Sequence, residues 1–377
     1  MNEKEVAELR RRLKPEKNAI THVRGCYVNE NREIISQFDQ SLGLMSQTET
    51  EMILNTLRKT LSGGLGKNLT DLSFATGQVV DSDEHRLLMA LRDSSLADEN
   101  AVQALFQRAI AALSLEGNYL ILLARDAYDV PFRSSDGTDQ GDAASEVYSY
   151  ILCAICPVKM TKPALSYRAE QNQFCHLPVD WVVSPPEVGF LFPAFNDRAS
   201  DIYGALYYAR DAADNQQSFI DAVFRVDPPM PPAAQKETFE AILSASLDDE
   251  CSYEVVQAVQ DTFCGLIAEH KESKEPEPLA VSKGAVKQVL SACGVSDAKA
   301  TAFEFKYADE FGGDTMLSPK NLVDTHQLEI RTPDVTIHLS PERSDLVETR
   351  IIDGSKYILI RADEGVEVNG VNIRITE

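Results

Sequence analysis

Four prolines fall within five residues at Pro228-Pro229-Met230-Pro231-Pro232. Proline has no amide hydrogen and fixes its own φ, so such a run cannot lie inside a helix or a central strand. The chain must therefore fold as something before this run and something after it. At 377 residues it also exceeds what one hydrophobic core ordinarily serves. The expected division is an N-terminal α/β domain over 1–227, a helical region over 233–270 and an α+β C-terminal domain over 280–377. Residues 271–278, charged and holding two prolines, read as a flexible linker.

Hydrophobic periodicity fills in the elements. Val6, Leu9 and Leu13 make one stripe of a helix over 3–13 that Pro15 stops. Strands over 19–29 and 32–38 form a hairpin, and a helix over 47–61 ends at Gly63-Gly64. Asp81 and Glu84 read as a capping box for a helix to about residue 91, and a further helix covers 98–113. Apolar strands at 118–124 and 147–158 pair antiparallel across a flexible polar loop at 133–145. A strand at 187–192 is followed by helices at 196–210 and 215–225. After the proline run come helices at 233–246, 251–269, 281–292 and 297–310. The end is β-rich, with strands at 335–339, 346–352, 357–361, 366–368 and 371–375. Asp353-Gly354 and Asn369-Gly370 serve as hairpin turns. The fold class is α+β, with mixed or antiparallel sheets and flanking helices.

Charge narrows the partners. The formal net charge is −23, which opposes non-specific attraction to nucleic acid or anionic membrane. It is uneven: residues 1–32 hold eight Lys/Arg against five Asp/Glu, leaving −26 on the other 345. Any anion-binding surface must be local, and Arg10, Arg11, Arg12 and Lys14, with Lys17 nearby, are the candidate nucleic-acid contacts. A solvated helix face pairing with Glu5 and Glu8 is the plainer use of the same residues. No apolar run has membrane-spanning length, and the charged first fifteen residues lack a secretory signal core. Seven scattered cysteines fit reduced thiols in a cytoplasm.

Other motifs carry weaker chemistry. Residues 62–68 resemble a phosphate loop, but Leu61 and Asn68 stand where that loop needs Gly and Ser/Thr, so a helix cap and turn is the better reading. Cys153 and Cys156, followed by Cys175 and His176, have the residue types of a zinc site. Yet Cys153 and Cys156 lie in one apolar strand, where positions three apart face opposite ways. Core cysteines are expected, with no metal and no cofactor. Residues 136–142 resemble a calcium loop, but Val147 stands where the bidentate Glu belongs. The acidic group Asp81, Asp83, Glu84 and His85 suits a helix N-terminus. Tyr203, Tyr207 and Tyr208 suit packing more than base stacking.

The stretches Ile20-Thr-His-Val-Arg-Gly-Cys-Tyr-Val28, Val79 through Asp93 and Tyr150 through Pro163 resemble an uncharacterised bacterial family, a domain of unknown function, over the full length. More distantly, by order of elements alone, the chain is similar to the bacterial nucleoid-associated protein family. These resemblances imply a bacterial, cytoplasmic protein of no known activity. The expected function is non-enzymatic, through macromolecular partners at the nucleoid: DNA bound weakly and non-specifically, or a basic protein. The alternatives are an enzyme assembled from distant residues, Cys175 and His176 among them, and an acidic protein-binding module. The sequence leaves oligomeric state open, a homo-oligomer included.

Overall fold

The computed structural model describes the backbone of all residues except 134–138, 274–276, 314, 363–364, 369 and 375–377, and the side chains of these except 132–133, 139–146 and 177. The chain divides into two compact units, one built on Met1–Pro232 and the other on the chain from Ala233 onward. The class is α+β with open antiparallel sheets. Among the described residues no helix is long and apolar enough to cross a membrane.

The first unit runs α1 (Glu3–Arg12), β1 (His22–Val28), β2 (Ile34–Ser41), α2 (Gln47–Lys59), β3 (Leu69–Ser73), α3 (Thr76–Asp81), α4 (Asp83–Asp93), α5 (Glu99–Ala112), β4 (Asn118–Arg133) and β5 (Asp139–Met160). It continues through β6 (Ala164–Arg168), β7 (Gln173–Leu177), β8 (Trp181–Val183), β9 (Val188–Phe192), β10 (Ala194–Asn196), β11 (Ala199–Asp201), β12 (Gly204–Ala209) and α6 (Gln217–Val223). One antiparallel sheet carries it, in the order β2-β1-β4-β5-β9-β12-β3, with β8 paired to the end of β5. Both faces of this sheet are covered. Ile151, Cys153 and Ile155 pack with α4, α5 and α6, whereas Leu152, Ala154 and Cys156 pack with α1 and α2. Strands buried on two faces read as unbroken apolar runs, as β5, β9 and β12 do.

That ambiguity produced the main correction. The helix expected over 196–210 is instead two short strands and β12. Asp197 (φ 50°) and Arg198 (φ 60°) form a two-residue left-handed turn that pairs Asn196 with Ala199. Beyond it β12 is buried throughout, between β9 and β3. An apolar run of six residues has neither the two-residue nor the 3.6-residue period that would separate strand from helix. Tyr203, Tyr207 and Tyr208 therefore sit at or within a strand. A smaller correction concerns α4: its cap is Ser82, whose side chain accepts from the His85 amide at 3.1 Å, and not Asp81. β4 and β5 also run further than the strands at 118–124 and 147–158, so that residues 139–145 of the expected loop are strand.

The second unit comprises α7 (Pro232–Leu247), α8 (Tyr253–Ser273), α9 (Lys283–Ala292), α10 (Asp297–Phe311), α11 (Pro319–Leu322), β13 (Leu328–Arg331), β14 (Thr336–Leu339), β15 (Val347–Ile352), β16 (Ser355–Ile360), β17 (Val366–Val368) and β18 (Val371–Ile373). Phe239, Phe263, Phe303 and Tyr307 knit α7, α8 and α10 into one core that also takes in Val286 and Leu290 of α9. The strands form three separate hairpins. Asp353 (φ 48°) and Gly354 (φ 79°) make the β15–β16 turn. Within the expected linker, 271–273 is the end of α8 and 274–276 lies outside the described residues.

Candidate functional site

The site grows from how α1 is seated. Asn2 and Glu5 cap it reciprocally: the Asn2 side chain accepts from the Lys4 and Glu5 amides at 3.1 Å, and Glu5 accepts from the Asn2 amide at 2.7 Å. Val6, Leu9 and Leu13 are buried in the core under the sheet, which fixes the helix's rotation. Successive residues on a helix turn by about 100°, so three consecutive arginines must point three ways. Arg10 donates through Nε to the Leu61 carbonyl and through Nη2 to that of Gly63 at 3.1 Å, and burial pulls its pKa below the usual guanidinium value. Arg11 is exposed, with Nε donating to the Ala7 carbonyl at 3.2 Å. Arg12 turns inward. Lys14, past the end of the helix, is exposed.

Arg12 meets β4. Its guanidinium lies 4.8 Å from the centre of the Tyr128 ring, and Nη2 is 3.6 Å from Asp126 Oδ1 and 3.5 Å from the Ala127 carbonyl. Glu8, one turn earlier on the same face, accepts the Tyr128 hydroxyl at 2.6 Å. It also accepts Arg198 Nη1 at 2.6 Å, while Arg198 Nη2 donates to the Pro131 carbonyl at 2.9 Å. Arg198 reaches this point from the left-handed turn between β10 and β11. Its amide donates to Glu5 at 3.3 Å. Behind Arg12, Asp126 is only 1% exposed and accepts the Tyr150 hydroxyl at 2.9 Å. Tyr150 stacks on Tyr148 at 4.8 Å, and the Tyr148 hydroxyl donates to the Pro193 carbonyl at 2.6 Å.

These residues enclose a cavity of about 290 Å³ lined by Arg11, Arg12, Lys17 and Arg198 with Glu8, Tyr128 and Pro131. Four cations thus face one carboxylate. Glu8 neutralises Arg198, and Asp126 faces Arg12 from behind. Among the described residues, Arg11 and Lys17 have no carboxylate partner, and Arg12 Nε is buried with no hydrogen bond. Burial raises the pKa of Asp126. Arg12, the Tyr150 hydroxyl and the amides of Ala127 and Ala19 pull it the other way. Burial also pushes Tyr128 up to about 12, helped by the Glu8 carboxylate that its hydroxyl bonds. The arrangement can hold an anion with arginine forks on two sides and tyrosine at its wall.

Of the sequence candidates, Arg11, Arg12 and Lys17 come together here, and Arg10 and Lys14 do not. Arg198, Glu8 and Tyr128 were not singled out in the sequence as parts of an anion site. Arg198 lies 190 positions from Glu8, in a segment whose pattern reads as helix. Glu5 and Glu8 make tertiary bonds in place of the expected intrahelical pairs. The cysteines are dispersed. Cys153 and Cys156 lie on opposite faces of β5, where burial keeps both thiols protonated, Cys156 at about 12. Cys175 and His176 are neighbours on β7 and so face opposite ways, with Cys175 Sγ 3.6 Å from the Ser166 carbonyl. Asp81 and Asp83 pair with Arg86, and Glu84 with Arg108. His85 is buried, with Nε2 2.9 Å from the Ile202 carbonyl. Of the calcium-like loop, 136–138 and the side chains of 139–142 lie outside the described residues. Residues 62–68 form a turn after α2, with Gly63 and Gly66 at positive φ.

A family model described as a domain of unknown function, DUF4317, matches residues 1–371. It accords with the full-length resemblance read from the sequence and lends no support to the nucleoid-associated one. No curated protein matches the chain.

Proposed function

The chain belongs to the DUF4317 family, and we propose that its N-terminal unit is a binding protein for a small phosphoryl anion, held by Arg11, Arg12, Lys17 and Arg198. The observation that carries this reading is the convergence of four cations and a single carboxylate on one cavity, in a chain whose net charge is −23. The cavity's size, about 290 Å³, sits at the small end of ligand sites and suits a phosphoryl group better than a large molecule. The same geometry favours a small ion over duplex DNA. A surface that tracks phosphates needs a row of free cations, whereas Arg10 is bound to the Leu61 and Gly63 carbonyls and Arg12 turns away from the exposed Arg11 and Lys14 into the pocket. The reading keeps the expected bacterial cytoplasmic setting, with which seven free cysteines agree.

The test is calorimetric titration with inorganic pyrophosphate at low salt. Arg11→Ala and Lys17→Ala are each expected to weaken binding about tenfold, the scale of one charge-assisted hydrogen bond. Lys14→Ala, outside the pocket, should change little. Absence of pyrophosphate and phosphate binding in the wild type would sink the proposal. Duplex DNA binding that is lost in Arg10→Ala/Arg11→Ala/Arg12→Ala, without pyrophosphate binding, would restore the nucleoid reading in its place.

A further inference from the structure

The first unit has a second, larger cleft that shares no residue with the cationic pocket, about 580 Å³ in volume. Its floor is apolar and is made by an absence. Gly25 of β1 stands between Phe38 of β2 and Leu122 of β4, its partners on either side. Without a side chain at Gly25, the Phe38 ring folds across β1, where any Cβ would collide with it. Phe38, Leu120 and Leu122 then form one continuous apolar base. One wall is α2. Its Leu54 and Leu57 side faces the core, and the adjacent stripe of Met52, Thr56 and Lys59 faces the cleft. The opposite wall is β8, hydrogen-bonded to the end of β5 through Trp181, Val182 and Val183.

Two features make this more than an incidental groove. Met52 is 64% exposed, Trp181 51% and Val183 43%, and all three line the same cavity, Trp181 and Val183 from one face of β8. Single exposed apolar residues need no explanation, but a cluster lining one concave site does. Lys59 is the one charged residue of the lining, and it has no carboxylate within ion-pair distance among the described residues. The Cys156 thiol, near enough to feel the Lys59 charge, is held up at about 12 by burial and so offers it no anion. Asn55 and Gln40 add amide groups.

We infer that this cleft binds a single-chain amphiphile with an anionic head: the chain lies on Phe38 and Leu122 between Met52 and Trp181, and the head pairs with Lys59. An apolar trough with one positive charge and no acidic lining residue selects the head by its sign and the tail by its burial. The volume lies within the usual range for ligands of that size.

Trp181 is the chain's one tryptophan, so its emission reports on this site alone. The full chain would be titrated with decanoate, decanol and decyltrimethylammonium. Decanoate is expected to shift the emission to the blue and to bind about tenfold more tightly than decanol, with the cationic amphiphile weakest. Lys59→Glu should invert that order, and Met52→Glu should abolish the response to decanoate. Both side chains are exposed, so far-UV circular dichroism should be unchanged. Pyrophosphate should not compete. No emission change with decanoate, equal affinity for the three head groups, or an order unaltered by Lys59→Glu would each overturn the inference.

Discussion

Replacing Arg12 with alanine is expected to lower the unfolding free energy of the N-terminal unit by about 3–5 kcal/mol, the cost of stranding a buried charge. The carboxylate it strands is Asp126, whose side chain is fully buried, 3.6 Å from Arg12 Nη2. The Tyr150 hydroxyl and the amides of Ala127 and Ala19 remain as partners, but these neutral donors do not outweigh the burial of the negative charge. Asp126→Asn keeps a hydrogen-bond acceptor for Tyr150 without the charge. In that background Arg12→Ala should cost only about 1 kcal/mol, the value of its contact with the Tyr128 ring. Urea unfolding followed by the emission of Trp181 measures all four members of the cycle, since that residue lies in the first unit.

The same carboxyl gives a pH dependence. Burial raises the pKa of Asp126 in the folded state. Between the unfolded and folded values the folded chain holds the extra proton, so stability falls as pH rises through that interval and the loss is complete above the folded value. Removing Arg12 removes a cation that pulls the pKa down, and so moves the folded value further up. The deficit of Arg12→Ala should therefore be smallest in acid, grow as pH rises from the ordinary carboxylate range, and vanish as a pH effect in the Asp126→Asn background. A deficit independent of pH would show that the loss comes from packing alone.

Gly189→Ala is the second large effect, with an expected loss of about 3 kcal/mol from overpacking. Gly189 sits on β9 opposite Ala154 of β5 and Tyr208 of β12, inside the sheet. A Cβ there would lie 2.6 Å from the Cys153 carbonyl oxygen and 2.6 Å from Thr60 Cγ2. Neither neighbour can give way easily. The first is backbone in the adjacent strand, and the second belongs to a buried residue whose hydroxyl donates to the Leu57 carbonyl at 2.6 Å at the end of α2. The glycine is therefore what lets α2 close onto the sheet and set the wall of the apolar cleft. Gly77→Ala, in α3 with nothing near its Cβ position, is the matched control and should be neutral or slightly stabilising. Equal midpoints in urea for the two variants would refute the steric account.

The sequence by itself determined what short-range pattern and stereochemistry can determine. The stripe of Val6, Leu9 and Leu13 gave α1 its buried face, and the two-residue period of a strand sent Cys153 and Cys156 to opposite sides. Asp353-Gly354 placed a hairpin turn because left-handed backbone conformations are cheap there. Tertiary structure decided the rest. Residues 204–209 became strand because β9 and β3 supply hydrogen bonds on both sides, and an apolar run buried on two faces carries no period to announce them. Three adjacent arginines became one surface group and two internal ones because the rotation of α1 is set by its apolar stripe, not by its charges. The pocket itself joins Glu8, Tyr128 and Arg198, residues that only the seating of α1 against β4 and the β10–β11 turn brings together. A local pattern encodes which face of an element is buried. It does not encode which element lies against that face, and both candidate sites are made at such contacts.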